Sequence, residues 1–258
     1  MKTAIITGAY GAIGNAIARK IAETGFRICL VGRNKQKLRD ASEDIIQKTG
    51  NREVFFEIVD LSSGKEINKF AARWKDPLSV LVNNAATAPR KKTENNEGVE
   101  MQLAVNVLSY FRMISCFIDF MKNGEDPRIV NVASYWAGGL DLTDLEFRRR
   151  QYNNDAAYRQ SKQADRMLTV AFAERFLSYR ISINSCHPGD VNSKLSNDLG
   201  FGGQESPDQG ASTPAWLALS PDVSGISGRY FMNSKEAFCE FATDKAAIDK
   251  LYRICDNY

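Results

Sequence analysis

Histidine is almost missing from this chain: His187 is the only one in 258 residues. A zinc site of the multi-histidine type therefore has no ligand set, no metal site is expected, and a Ser-His-Asp triad would have one candidate base. Cysteine is sparse as well. Cys29, Cys116, Cys186, Cys239 and Cys255 are widely spaced and form no C-x-x-C pair, the pattern of reduced, mostly buried thiols in a cytoplasmic protein. Neither sign of charge is in large excess. A net charge of +3 predicts no polyanionic partner such as nucleic acid, and Arg90-Lys91-Lys92 and Arg148-Arg149-Arg150 read as solvated faces. Long apolar runs are wanting too. The longest fall short of the ~20 residues of a membrane span. The opening run, Lys2 to Thr7, is too short for a signal-peptide core, so no membrane anchor is expected.

What is present is an ordinary globular composition, 43% hydrophobic and 25% charged, in a length that suits one large α/β domain or two small ones. Residues 3–7 form an apolar, strand-like run. Gly8-Ala9-Tyr10-Gly11-Ala12-Ile13-Gly14 follows, then a helical pattern through Ile17 and Ile21 to Gly25. Strand, glycine turn and helix in that order suit a pyrophosphate, because glycines admit close backbone approach and a helix N-terminus offers free N–H groups. The second strand, 27–31, ends at Gly32-Arg33-Asn34. Glycine stands where an acid would accept the ribose hydroxyls of NAD, and an arginine beside it suits a 2′-phosphate, so NADP(H) is favoured over NAD(H).

Further strands are expected at 54–59, 78–82, 128–133 and 181–186, with an edge strand at 229–231. Helices are expected at 35–49, from a Ser62 cap to Trp74, and at 98–121, 155–178, 214–219 and 243–256. Residues 135–155 read as irregular, and 190–213, rich in Gly, Ser and Asn, as a mobile substrate loop. Alternation over the whole length predicts one domain, 1–258. Its fold is α/β, a single doubly wound (Rossmann) parallel sheet of about seven strands with helices on both faces. Ligands of such sheets lie beyond the carboxyl ends of the strands, where Gly8, Gly32, Asp60, Asn83, Ser134 and Pro188 gather.

Two helical features stand out. Tyr158 and Lys162 are four residues apart and project side by side, so the ammonium is expected to lower the phenol pKa and make an acid/base pair. Asn106 lies in the middle of a long apolar helix, where an amide competes for backbone hydrogen bonds.

Taken in order, Thr7-Gly8 with Gly11 and Gly14, Asp60-Leu61, Asn83-Asn84-Ala85, Asn106, Ser134, Tyr158 with Lys162, and Pro188-Gly189 resemble the short-chain dehydrogenase/reductase family across essentially the whole chain. Gly32-Arg33-Asn34, Asp141-Leu142 within a long gap from Ser134 to Tyr158, and the segment Ser227-Gly228-Arg229-Tyr230-Phe231 resemble its retinol dehydrogenase and WW-domain oxidoreductase branch. Two departures are visible. The family's short members usually carry glycine at the place of Ala12, where this chain has it at Gly11, and Ala86 replaces the last glycine of Asn-Asn-Ala-Gly.

The resemblance implies hydride transfer between NADP(H) and a small carbonyl or alcohol substrate. Tyr158 would exchange the proton, Lys162 hold the nicotinamide ribose, Ser134 bind the substrate oxygen and Asn106 hold a relay water. It also implies cofactor contacts from Gly8, Tyr10, Gly11, Ala12, Ile13, Gly14, Arg33, Asn34, Asp60, Leu61, Asn84, Ala85, Ala86, Tyr158, Lys162, Pro188, Gly189 and Val191. Members often pair through the helices holding Asn106 and Tyr158, which implies a homodimer or homotetramer. Tyr135, Trp136, Phe201 and Trp216 are candidates for an apolar substrate pocket, and His187 for a brace of the Pro188-Gly189 turn. Two other functions stay open: an NADP(H)-binding sensor or interaction protein without turnover, and a nucleotide-sugar epimerase-like enzyme, suggested by the glycine spacing.

Overall fold

A computed structural model describes residues 1–122 and 124–258. The strands are β1 (Thr3–Thr7), β2 (Arg27–Gly32), β3 (Val54–Ile58), β4 (Val80–Asn83), β5 (Arg128–Val132), β6 (Ser182–His187), β7 (Tyr230–Met232) and β8 (Lys235–Ala237). They form one sheet in the order β3-β2-β1-β4-β5-β6-β7-β8. Every pairing up to β6–β7 is parallel, and β7–β8 is antiparallel. The order reverses between β1 and β4, and a crevice at such a switch point is where doubly wound sheets bind ligands.

The sheet thus has eight strands, one more than the pattern suggested, and β7 is not the edge. Asn233 and Ser234, both with positive φ (51° and 56°), make the two-residue turn of a tight hairpin. With no glycine in the turn, the usual hairpin signal is absent.

The helices are α1 (Ala12–Ala22), α2 (Lys35–Thr49), α3 (Gly64–Arg73), α4 (Ser109–Met121), α5 (Asn154–Arg175), α6 (Lys194–Leu199), α7 (Pro207–Gly210), α8 (Ser212–Leu219) and α9 (Lys245–Asp256). Their ends follow local chemistry. The Asn34 side chain accepts from Lys37 N at 3.0 Å, and Gly50, at φ +71°, closes α2. Ser63, not Ser62, caps α3; the Ser62 hydroxyl is spent on Asp60 Oδ1 at 2.8 Å.

The helix expected from Gly98 begins later. Gly98 sits in a turn at φ +76°, and the Glu100 carboxylate accepts from the backbone N–H groups of Gln102 (2.9 Å) and Leu103 (2.8 Å). A π-helical stretch, Leu103–Leu108, then precedes α4. Leu103–Met121, 19 residues interrupted by Asn106, Arg112 and Asp119, is long and apolar enough by length and composition to cross a membrane, but 67% of its 18-residue window of mean hydropathy 1.4 is buried within the fold. It lies in the core among Phe70, Trp74 and Phe172, which accounts for its apolarity.

Segment 190–213 is not a featureless loop. Capping boxes at Ser193/Ser196 and Ser206/Gln209 start α6 and α7, and Val191 bridges Glu205. One core lies between the sheet and α3, α4, α5 and α9, the other between the sheet and α1, α2 and α8. α9 lies across α4 and α5: the Tyr252 ring packs on Phe111 (5.0 Å between centroids) and Phe172 (5.3 Å), and Asp249 pairs with Arg175 at 2.7 Å.

Candidate active site

The glycine turn joins β1 to α1 under tight steric control. Gly8 has φ +65°, and a Cβ there would lie 2.8 Å from Ala85 Cα. A Cβ on Gly14 would lie 2.5 Å from Gly8 O and 2.6 Å from Asn84 Nδ2. At Gly11 the nearest atom would be Gly8 O at 3.2 Å. Gly11 is the N-cap of α1 in extended geometry, which puts Ala12 in the first helical turn, where a methyl is tolerated. The displaced glycine is therefore a local variation that leaves the constrained positions, Gly8 and Gly14, in place. Among the described residues the non-glycine positions with positive φ are Asp126, Phe147, Arg180, Asn233 and Ser234, so Ala86 needs no glycine.

β1 and β4 are stitched together behind this turn. The Thr7 hydroxyl accepts from Asn84 N (2.8 Å) and Ala85 N (3.1 Å), and Asn84 Nδ2 donates to Thr7 O at 2.9 Å. At the end of β2 the Tyr10 ring rests on Gly32; a Cβ there would lie 2.5 Å from Tyr10 Cε1. A side chain at this position would have to displace the ring. Arg33 is exposed beside it, while the Asn34 side chain is occupied by capping α2. Asp60 is likewise engaged, its Oδ1 accepting from Ser62 N (3.0 Å) and the Ser62 hydroxyl. The close packing at Gly8 and Gly14 leaves no room for a side chain where β1 turns into α1, and a tight glycine turn leading into a helix N-terminus makes a cradle that fits a dinucleotide pyrophosphate.

Beside the cradle a cleft of about 570 Å³, open mouth included, is lined by Ile13, Asn84, Ala86, Ser134, Tyr158 and Lys162 on one side and by Pro188, Gly189 and Val191 on the other. Aromatic side chains form its outer wall. Trp136 stacks on Phe201 of the 190–213 segment at 6.0 Å and 7° between planes, and the Tyr135 ring stands edge-on to His187 at 4.7 Å. Trp216 does not join them: it packs on Phe231 at 5.6 Å in the opposite core. α8 carries it to the far face of the sheet.

Within the cleft, Tyr158 and Ser134 both line the wall, and Ser134 Oγ accepts from Trp136 N at 3.0 Å. The net shift of the Tyr158 phenol is upward, the reverse of the expectation from its neighbouring cation. Burial is the largest cause and outweighs the pull of Lys162 and Ser134. Lys162 Nζ donates to Val132 O at 3.0 Å and Asp165 Oδ2 at 2.9 Å, and Asp165 holds the ammonium charged despite its burial.

Asn106 does not line this cleft. Its Oδ1 accepts from Thr87 N (2.9 Å), and its Nδ2 donates to Thr87 O (3.1 Å) and Ser161 Oγ (3.0 Å). The amide thus ties the segment after β4 to α5. A π-turn at this position is a common mark of a functional site.

Two residues the sequence pattern did not single out brace this site. Asp165 holds Lys162, and Arg166 donates from Nη2 to Ser134 O while its guanidinium lies 3.7 Å from the Tyr230 ring centroid. Both are buried. Their only sequence signal is a pair of opposite charges one turn beyond Lys162, on a helix buried nearly all round.

His187 ends β6 with its Nδ1 buried and without a hydrogen-bond partner among the described residues, while its Nε2 lies 4.0 Å from Asp190 Oδ1 just past the Pro188-Gly189 turn, too far for a hydrogen bond to a neutral ring. Burial draws its imidazole down from 6.5 to about 4. The unfolded chain therefore binds the proton first, and this contribution to stability, whole above pH 6.5, is lost as the pH falls towards 4. His187→Asn should flatten urea-denaturation stability between those limits by up to about 3 kcal/mol. An unaltered pH dependence would assign the loss to other groups.

The short chain dehydrogenase family matches residues 2–200, and the chain belongs to it. Human retinol dehydrogenase 13 is 32% identical over 255 residues, covering 91% of this chain and 77% of the human protein, which puts the chain in the retinol dehydrogenase branch. Among solved structures, an uncharacterised protein from Mycobacterium paratuberculosis shares the fold at TM-score 0.84 and 22% identity over 100% of this chain and 92% of that one. A metagenomic short-chain oxidoreductase in complex with NADP superimposes at TM-score 0.68 with 27% identity, over 90% of this chain and 95% of that one.

Proposed function

We propose that residues 1–258 form one NADP(H)-dependent oxidoreductase domain that moves hydride between nicotinamide and the carbonyl carbon of an apolar ketone or aldehyde, or back from the alcohol. The observation that carries this reading is the meeting of Ser134, Tyr158 and Lys162 in one cleft beside the glycine cradle. When bound, the cofactor supplies or accepts the hydride. Tyr158 protonates the substrate oxygen during reduction and takes that proton back during oxidation. Its upward shift keeps the phenol protonated at neutral pH, ready to donate. Ser134 Oγ holds the same oxygen and stabilises the charge that develops on it. Lys162 carries the positive charge beside the phenol and serves the ribose hydroxyls. With the Asn106 amide taken up by Thr87 and Ser161, its part is to hold the segment after β4 against α5, the helix that carries Tyr158 and Lys162.

Gly8, Tyr10, Gly11, Ala12, Ile13 and Gly14 take the pyrophosphate end of the cofactor. Asp60 and Leu61 take the adenine. Asn84, Ala85, Ala86, Pro188, Gly189 and Val191 flank the nicotinamide. Trp136, Phe201 and Tyr135 make the substrate wall apolar. Five free cysteines suit the cytoplasm. Pairing of two copies through α4 and α5 would have to displace α9.

The test is NADPH absorbance followed with a panel of apolar ketones, aldehydes and quinones, where oxidation of NADPH is expected. Binding of NADPH with no oxidation across the panel would favour a sensor. Cofactor choice rests on Arg33. NADPH should raise the melting temperature more than NADH at equal concentration, and Arg33→Ala should narrow the gap, weakening NADPH by about tenfold, the worth of one charged hydrogen bond. An unaltered gap would mean that Arg33 does not read the phosphate.

A further inference from the structure

Asp165 lies one turn beyond Lys162 on α5, outside the cleft. Its side chain is 0% exposed and that of Lys162 1%. Oδ2 accepts from Lys162 Nζ at 2.9 Å, and the same ammonium donates to Val132 O at 3.0 Å. This places Nζ 5.8 Å from the Tyr158 ring centroid and 5.1 Å from that of Tyr110. The other carboxylate oxygen, Oδ1, has no hydrogen-bond partner among the described residues. A buried carboxylate with an unsatisfied oxygen is costly, and an apolar or amide side chain would serve the packing of α5 better. The backbone here is independently held: Thr169 Oγ1 donates to Asp165 O at 2.7 Å and accepts from Asn131 Nδ2 at 2.9 Å, which leads on to Asn83. The acidic side chain is therefore not what fixes the helix.

We propose that Asp165 is a positioning residue for the reaction: its carboxylate anchors the Lys162 ammonium at the Val132 carbonyl and offsets part of the positive field that reaches Tyr158. This rests on the oxidoreductase reading of the cleft. The titratable and charged groups around the pair are Tyr158 and Arg166 on α5, Tyr110 on α4, Cys186 and His187 on β6, Asp190 just beyond, and Cys255 on α9. Arg166 is turned to the Ser134 carbonyl and the Tyr230 ring, and burial keeps the Tyr110 and Cys186 protons on. Asp165 is thus the counter-ion within hydrogen-bonding reach of Lys162. In its absence the Tyr158 phenolate becomes the natural partner of the ammonium, and the tyrosine ionises more readily.

The experiment is Asp165→Asn, which keeps the shape and an oxygen acceptor and removes the charge. Tyr158 ionisation is read by ultraviolet difference titration of Asp165→Asn against Asp165→Asn/Tyr158→Phe, and of the wild type against Tyr158→Phe. The Tyr158 signal should move down by about one pH unit. The rise of alcohol oxidation with pH should move with it. An unmoved or upward titration overturns the proposal, even if turnover persists and the oxidoreductase reading stands. A downward shift in a protein that turns over no substrate supports it while that reading fails. Should Asp165→Asn not fold, thermal unfolding of Lys162→Met is compared with Lys162→Met/Asp165→Asn. A higher melting temperature in the double variant supports the pair, because it removes a buried, uncompensated anion; an equal or lower one overturns it.

Discussion

Replacing Tyr158 with Phe should lower turnover by roughly 10²–10⁴-fold, the usual worth of a positioned proton donor, and leave NADPH affinity and the melting temperature close to those of the wild type. The substitution removes one oxygen and keeps the ring. That ring is held by its burial, 7% exposed, in a helix anchored by the Asn153 cap and the Ser161 bond to Tyr158 O at 2.7 Å. Burial keeps the phenol protonated at neutral pH, and it shares the cleft lining with Ser134, where the substrate oxygen would sit. Lys162 is tied to Asp165 and Val132 and is not free to donate in its place. Steady-state kinetics with NADPH, beside cofactor binding by fluorescence, separate the two effects. Retention of more than a tenth of the activity would move the proton transfer to another residue.

Gly14→Ala should be the most damaging single methyl in the cradle. The new Cβ would meet Gly8 O at 2.5 Å and Asn84 Nδ2 at 2.6 Å, and neither can yield freely. Gly8 O accepts from Gly11 N at 3.0 Å, and Asn84 is bonded to Thr7 through both its backbone and its side chain. Relief requires α1 to back away from β1, which opens the turn. Overpacking of this kind costs about 1–3 kcal/mol, and if it falls on the bound state it weakens NADPH by about 10- to 100-fold. Gly11→Ala is the matched control, since its nearest contact is 3.2 Å away. Fluorescence titration of NADPH and thermal unfolding of both variants decide the matter. Equal effects at the two positions would mean that the close approach to Asn84 does not shape the cradle.

Much of the fold was legible because its signals are local. β1 and α2 match the ranges read from apolar runs and caps, and the sheet type follows from the alternation of strands and helices. Elements whose signals are weak or non-local were not legible. β8 turns on Asn233-Ser234 without glycine. α6 and α7 start at serine caps inside a segment whose composition resembles a loop. The π-turn around Asn106 depends on packing against α5, not on propensity.

The candidate site divides in the same way. Ser134, Tyr158, Lys162 and the glycines could be named from the chain alone, because motif spacing on known elements carries them. Their electrostatics could not. At i,i+4 spacing a lysine lowers a tyrosine pKa in water, yet here burial dominates, and burial is a property of the assembled sheet and helices. The sequence by itself determined which residues meet at the strand ends. Only the tertiary structure decided that Lys162 is held by Asp165, that Ser134 is braced by Arg166, and that Trp136 and Phe201, though 65 positions apart, face each other across the mouth of the cleft. Each of these depends on where separate elements come to rest against one another and on how little water remains between them, and neither is written in local spacing.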